Sequence, residues 1–153
     1  MAKTEVFVSS PMISHVEIEN WRSLEKFDMS LDPLTALVGA NGAGKTAVLH
    51  AIDLLLGNRW PSMASFNLPR DFCRMDTSLG IRIRCTFDPP LQHVDALSKD
   101  QDIAALEFRC QPYKRKTATG DVGDLHDDFY PLNAKGEQPM VATVGPRKVR
   151  RSR

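Results

Sequence analysis

Cysteine is scarce in this sequence, and none of it is paired. Cys73, Cys85 and Cys110 are the only three in 153 residues, and no C-x-x-C spacing occurs. An odd number without that spacing suggests neither a disulfide framework nor a zinc site, and it points to reduced, mostly buried thiols in a cytoplasmic protein. An excess of charge of one sign is missing too. Twenty Lys and Arg against nineteen Asp and Glu leave a formal net charge of +1. The chain as a whole therefore carries no polyanion-binding signal. No apolar run reaches the length that crosses a bilayer, so no membrane partner is expected. The first residues lack the apolar core of a secretion signal, and Pro11 interrupts them. His15, His50, His93 and His126 show no ligand spacing. There is no internal repeat and no linker between two domains.

What is present suits one soluble domain with a real core: 42% apolar and 25% charged residues. The charge is uneven. "YKRK" at Tyr113–Lys116 and the tail "PRKVRRSR" are basic clusters. Both read as solvated segments before any role with nucleic acid. Residues 1–11 read as a flexible lead-in, 12–139 as the folded lobe and 140–153 as a basic, disordered tail.

Hydrophobic periodicity places the elements. "ISHVEIENW" and "FDMSL" alternate in strand fashion around a turn at "WRSLEK", as two neighbouring antiparallel strands. After Asp32-Pro33, "LTALV" is apolar on both faces and predicts a buried strand of a covered sheet. A helix is predicted over about Lys45–Leu56, with Val48, Leu49, Ile52, Leu55 and Leu56 at helical spacing and Gly57 as a left-handed cap. "LGIRIRCTFD" reads as a half-solvated strand stopped by Pro89-Pro90, followed by a short helix near Leu91–Lys99. "AALEFRCQPY" is another strand, and Gly120, Gly123 and Gly136 mark hairpin connections.

Between the buried strand and the helix lies the stretch that carries chemistry. Gly39-Ala-Asn-Gly-Ala-Gly44-Lys45-Thr46 fits G-x-x-x-x-G-K-[ST], the P-loop. Glycines let the backbone turn several N–H groups toward phosphate without a Cβ in the way. The helix N-terminus that follows favours an anion. Lys45 is placed to reach the β- and γ-phosphates, and Thr46 to give its hydroxyl to Mg²⁺.

"GANGAGKT" resembles the G-x-N-G-x-G-K-[ST] form of ATP-binding-cassette ATPases. "ENWRSL", about twenty residues upstream, resembles the I-x-N-F-R-S start of the RecF/SMC-like branch. "LHAIDLLLG", then "RDF", then an alternating strand, is most similar to the OLD-family ATP-dependent endonucleases within it. The resemblance covers roughly Ile13–Asp88, and more weakly the strands to about Glu137. It implies an α/β P-loop NTPase fold: part of an ABC-type head, with a mixed sheet around the P-loop helix and an antiparallel β-subdomain.

It places Gly39, Asn41, Gly42, Ala43, Gly44, Lys45 and Thr46 on the Walker A pattern, with ATP and Mg²⁺ as ligands. Arg22 falls on the arginine of the N-F-R motif, which implies a cofactor-binding place near the nucleotide, with Trp21 in place of phenylalanine. Of the glutamines, Gln92, Gln101 and Gln111 are all open as the one after the P-loop.

The departures from the pattern matter as much. No four apolar residues precede Asp-Glu, no "SGG" occurs, no switch histidine can be placed, and no Toprim acidic cluster is present. Phosphoryl transfer needs a base, a positioned water and further charge stabilisation. The expectation is thus an ATP-binding part of a DNA-repair or phage-defence ATPase that hydrolyses poorly alone. In full length, two heads would join head-to-head through ATP and act on DNA. A non-catalytic remnant or interaction module is the alternative, and a transporter subunit the weaker third. Of the other residues, Asp71 reads as a helix cap or loop carboxylate before a group near the active site, Arg82 and Arg84 as a solvated strand face before a DNA-facing patch, and Trp60 and Phe66 as packing under a loop before a cover for the adenine base.

Overall fold

A computed structural model describes residues 10–59, 61–62, 66–94 and 100–138. The first nine residues, Trp60 and the tail, on which part of the reading above falls, lie outside the described residues. Five strands form one antiparallel sheet: β1 (Met12–Trp21), β2 (Leu24–Ser30), β3 (Ile81–Val94), β4 (Asp100–Thr117) and β5 (Gly120–Leu132), in the order β2-β1-β3-β4-β5. One α-helix, α1 (Lys45–Leu56), packs on it.

The alternation of the sequence becomes two chemically opposite faces. On one face, Ile18, Ile83 and Phe108 stand side by side across three strands, all fully buried, with Phe129 next in the row. Val16, Cys85 and Leu106 make the adjacent row. Onto this face α1 lays Ala47, Val48, Ala51 and Leu55. Burying one Val or Leu side chain stabilises by about 1.5–3 kcal/mol, so this docking outweighs the intrinsic propensity of a twelve-residue helix. Phe66 packs between Trp21 and Phe108, as a loop residue closing the core.

The other face is a charge ladder. Glu17, Arg84, Glu107 and Tyr130 form one row, and Glu19, Arg82, Arg109 and Asp128 the next. Arg82 and Arg109 stand directly opposite one another, a like-charge pair that disfavours the register. Glu107 resolves it, accepting from Arg82 Nε at 3.1 Å and from Arg109 Nε, and it is only 1% exposed. The solvated face expected for Arg82 and Arg84 is therefore an ion-pair network, with Glu17 also close to both arginines.

Several expectations are corrected. The described sheet is wholly antiparallel, not mixed. "LTALV" forms no strand: Leu34 is 92% and Val38 90% exposed, and among the described residues the backbone of 34–38 makes no hydrogen bond. A strand exists only against a partner, and no described strand runs alongside this segment. Leu49 and Leu56 of α1 are likewise exposed rather than core. Gly57 is extended, not left-handed; its N–H reaches Asp53 O at 2.8 Å and closes the helix without a reversal. Pro89 and Pro90 do not stop β3. The ladder slips between Thr86 and Leu91, so the missing proline donors fall in an irregularity. Leu91–Val94 is strand, not helix.

Cys73, Cys85 and Cys110 are buried thiols. Burial pushes Cys85 up from 9.0 to about 12. Burial, then the nearby Asp127, pushes Cys110 up to about 11. The folded state thus prefers the neutral thiols. Their contribution is complete below pH 9 and is lost as pH rises from there toward 11–12. Stability is expected to fall above pH 9 by up to about 1.4 kcal/mol per pH unit for each thiol. Urea melts at pH 8 and pH 10 should show a smaller drop in Cys85→Val than in wild type, and equal drops would contradict this assignment.

Candidate functional site

The turn Arg22–Ser23 joining β1 to β2 and the loop joining Ala40 to α1 meet at one end of the helix. Gly44 is the N-terminal cap of α1, with φ +93°, and Gly42 has φ +84°. These two reversals fold the loop back before the helix starts. A Cβ on Gly44 would sit 2.5 Å from Leu24 Cδ2, so this glycine is required by space as well as by conformation. Lys45 Nζ donates to Gly39 O at 2.6 Å and Ala40 O at 2.7 Å, bridging the loop. Ala43 N–H closes the turn on Ala40 O at 3.2 Å. Asn41 and Thr46 are exposed, and the Thr46 hydroxyl has no partner among the described residues.

These groups form one wall of a cavity of about 900 Å³, lined there by Asn41, Gly42, Gly44, Lys45, Thr46 and Ala47. Arg22 and Ser23 line it from the β1–β2 turn, and Arg70, Asp71, Phe72, Arg74 and Met75 from the loop before β3. The structure thus brings Arg22 to the same cavity as the P-loop residues, 23 positions on from it in sequence at Lys45. Arg22 Nε donates to Asp71 Oδ1 at 2.9 Å, its Nη1 meets His50 Nδ1, and its guanidinium lies 4.9 Å from the centre of the Trp21 ring. Trp21 Nε1 donates to Ala47 O at 3.0 Å, which ties the turn to the first turn of α1.

Arg70, Phe72, Arg74 and Met75 were not legible as site residues. They sit in an irregular stretch with no periodicity, and only the fold carries them to the P-loop. Of the glutamines, Gln92 bonds Asp102 at 2.6 Å and Gln111 lines a different depression; neither borders this cavity. Gln101 lies outside the described side chains. Among the described residues, His15, Glu17 and Asp28 form a cross-strand His-carboxylate cluster that linear spacing does not reveal, and Glu17 there is engaged by Arg82 and Arg84. Among the described residues no helix is long and apolar enough to cross a membrane.

A glycine-built loop at a helix N-terminus, followed by lysine and by a hydroxyl unpartnered among the described residues, and faced by arginine, is the arrangement of a P-loop. Residues 12–138 match the profile of the AAA ATPase domain, and the chain belongs to that family. It is 40% identical over 138 residues to an OLD nuclease of Thermus scotoductus, covering 90% of this chain and 24% of the relative. It is 33% identical over 93 residues to endonuclease GajA of Bacillus cereus, covering 61% and 15%. It is 29% identical over 130 residues to the DNA replication and repair protein RecF of Chloroflexus aurantiacus, covering 84% and 28%. The matched part of the chain covers between 15% and 28% of the length of these curated relatives.

Proposed function

We propose that this chain binds Mg-ATP through Gly39–Thr46, as part of an ATPase of DNA repair or phage defence akin to the OLD nuclease and RecF. The observation that carries the reading is the two-walled cavity, with the P-loop on one side and Arg22 and Arg70 on the other. The residues fit the ligand. Gly42 and Gly44 supply the two reversed positions of the loop, the Lys45 ammonium is already over the loop, and the Thr46 hydroxyl, without a partner among the described residues, is available for Mg²⁺. The metal, when bound, would neutralise charge on the terminal phosphates.

Turnover needs groups from elsewhere. Asp71 is the one carboxylate among the described lining residues, and both of its oxygens are occupied, by Arg22 and by the N–H of Asn67 at 2.8 Å. A base and a second metal ligand would come from further polypeptide, in the same chain or a partner head. The unpaired segment 34–38 and the exposed Leu49 and Leu56 support such an added layer. A binding module without turnover is the second reading, favoured by that same lack of a free carboxylate.

Titration with a fluorescent ATP analogue tests the site. Lys45→Ala is expected to weaken binding about 10- to 100-fold, the worth of hydrogen bonds from a charged group. Equal affinity in wild type and variant would sink the pocket assignment. Hydrolysis by the chain alone at a rate typical of ATPases would sink the claim that other groups are required.

A further inference from the structure

We propose that Asp71 is a positioning residue of the nucleotide site, acting through Arg22; this rests on the ATP-binding reading above. Asp71 is 6% exposed, in a short irregular loop where a carboxylate has no reason to be buried unless it is paired. Its carboxylate divides between two tasks. Oδ2 takes the Asn67 N–H and closes the loop, while Oδ1 takes Arg22 Nε. Its backbone oxygen accepts the Arg22 N–H at 2.8 Å, so main chain and side chain grip the same residue. Trp21 pairs with Phe72 in an isolated antiparallel bridge beside it.

The backbone around this grip is unusual. All four non-glycine residues with positive φ, among the described residues, are Asn20, Arg22, Arg74 and Met75. They fall in the two segments that meet here. Asn20 joins the segments further, its side-chain amide donating to Asp76 O at 3.0 Å and Gly80 O at 2.7 Å. Left-handed backbone at such residues persists only where surrounding contacts over-determine it. The wall facing the P-loop is therefore preset rather than assembled on binding.

Arg22 is fixed at Nε by Asp71, at Nη1 by His50 and along its plane by Trp21. Its Nη2 has no partner among the described residues, in a residue that lines the cavity. A planar fork held this way presents its remaining donors in one orientation, suited to the oxygens of a polyphosphate. Asp71 sets that orientation without reaching the ligand as an acceptor, since an anion on an anion is repelled.

The test is a double-mutant cycle on the chain, read as affinity for the fluorescent ATP analogue. Arg22→Ala is expected to weaken binding about tenfold or more, and Asp71→Asn several-fold. The double variant should bind no worse than Arg22→Ala alone, because Asp71 has nothing left to position. Losses that multiply in the double variant, or wild-type affinity in Asp71→Asn, would overturn the proposal. Should Asp71→Asn fail to fold, Arg22→Lys decides. Lysine keeps the charge but cannot engage Asp71 and His50 together, so it should bind like Arg22→Ala; full affinity with lysine would also overturn it. Lys45→Ala run alongside separates the two ideas. If that variant binds normally, it is the pocket reading that fails.

Discussion

Gly44→Ala is expected to destabilise the chain by about 2–5 kcal/mol and to weaken nucleotide binding at least tenfold, while Gly42→Ala costs about 1–2 kcal/mol. The two glycines share a reversed backbone, at φ +93° and +84°. An L-residue with a Cβ pays roughly 1–2 kcal/mol for such a conformation. What separates them is space. A Cβ at Gly42 meets nothing within 4 Å, but at Gly44 it lies 2.5 Å from Leu24 Cδ2, 3.3 Å from Ser23 Oγ and 3.4 Å from Leu24 Cγ. Leu24 is only 8% exposed and belongs to the core, so it has little room to retreat. Overpacking of this kind costs about 1–3 kcal/mol more.

The clash would also push the β1–β2 turn, which carries Arg22, away from the helix that carries Lys45. Loss of affinity is therefore expected even where the variant stays folded. Urea denaturation and analogue titration of both variants check this. Indistinguishable behaviour of the two would show that Leu24 does not close the space behind the loop.

Glu107→Gln is expected to destabilise by about 3–5 kcal/mol, with little direct effect on the nucleotide site. Glu107 is buried among Arg82 at 3.1 Å, Arg84 at 4.0 Å and Arg109. Glutamine keeps the shape but removes the charge that offsets the Arg82–Arg109 pair. Breaking a buried pair from one side leaves uncompensated charge, which costs about this much. For a chain of this size the melting temperature should drop on the order of 10 °C. Glu107→Met with Arg82→Met should recover much of the loss, because an apolar pair needs no compensation. A Glu107→Gln variant as stable as wild type would mean that Glu17 and Glu19, which lie near Arg82, already suffice.

Legibility followed locality. The helix bounds at Lys45 and Leu56 could be read directly, because a P-loop start and apolar spacing are local signals. The pairing of β1 with β2 and the alternating face of β3 were legible for the same reason, although Trp21 and Leu24–Lys26, read as turn, belong to the strands and only Arg22–Ser23 turns. Failures came where a partner decides. "LTALV" has the composition of a buried strand, yet Val38 stands 90% exposed because nothing described pairs with it. Pro89-Pro90 reads as a stop, yet β4 continues the ladder past it from Leu91 onward. Asp71 reads as a loop carboxylate, which it is, but its grip on Arg22 depends on two segments 49 residues apart meeting.

By itself the sequence determined the P-loop: glycines where the chain must reverse, then lysine and threonine at the start of a helix. That determination is local, since backbone freedom and spacing along one turn suffice. Only the tertiary structure decided which groups hold the opposite wall. Arg22 comes from one segment and Arg70 and Asp71 from another, and their convergence on the cavity that Lys45 lines follows from how the sheet presents its end to α1. A contact between distant segments is a property of packing, and no window along the chain contains it.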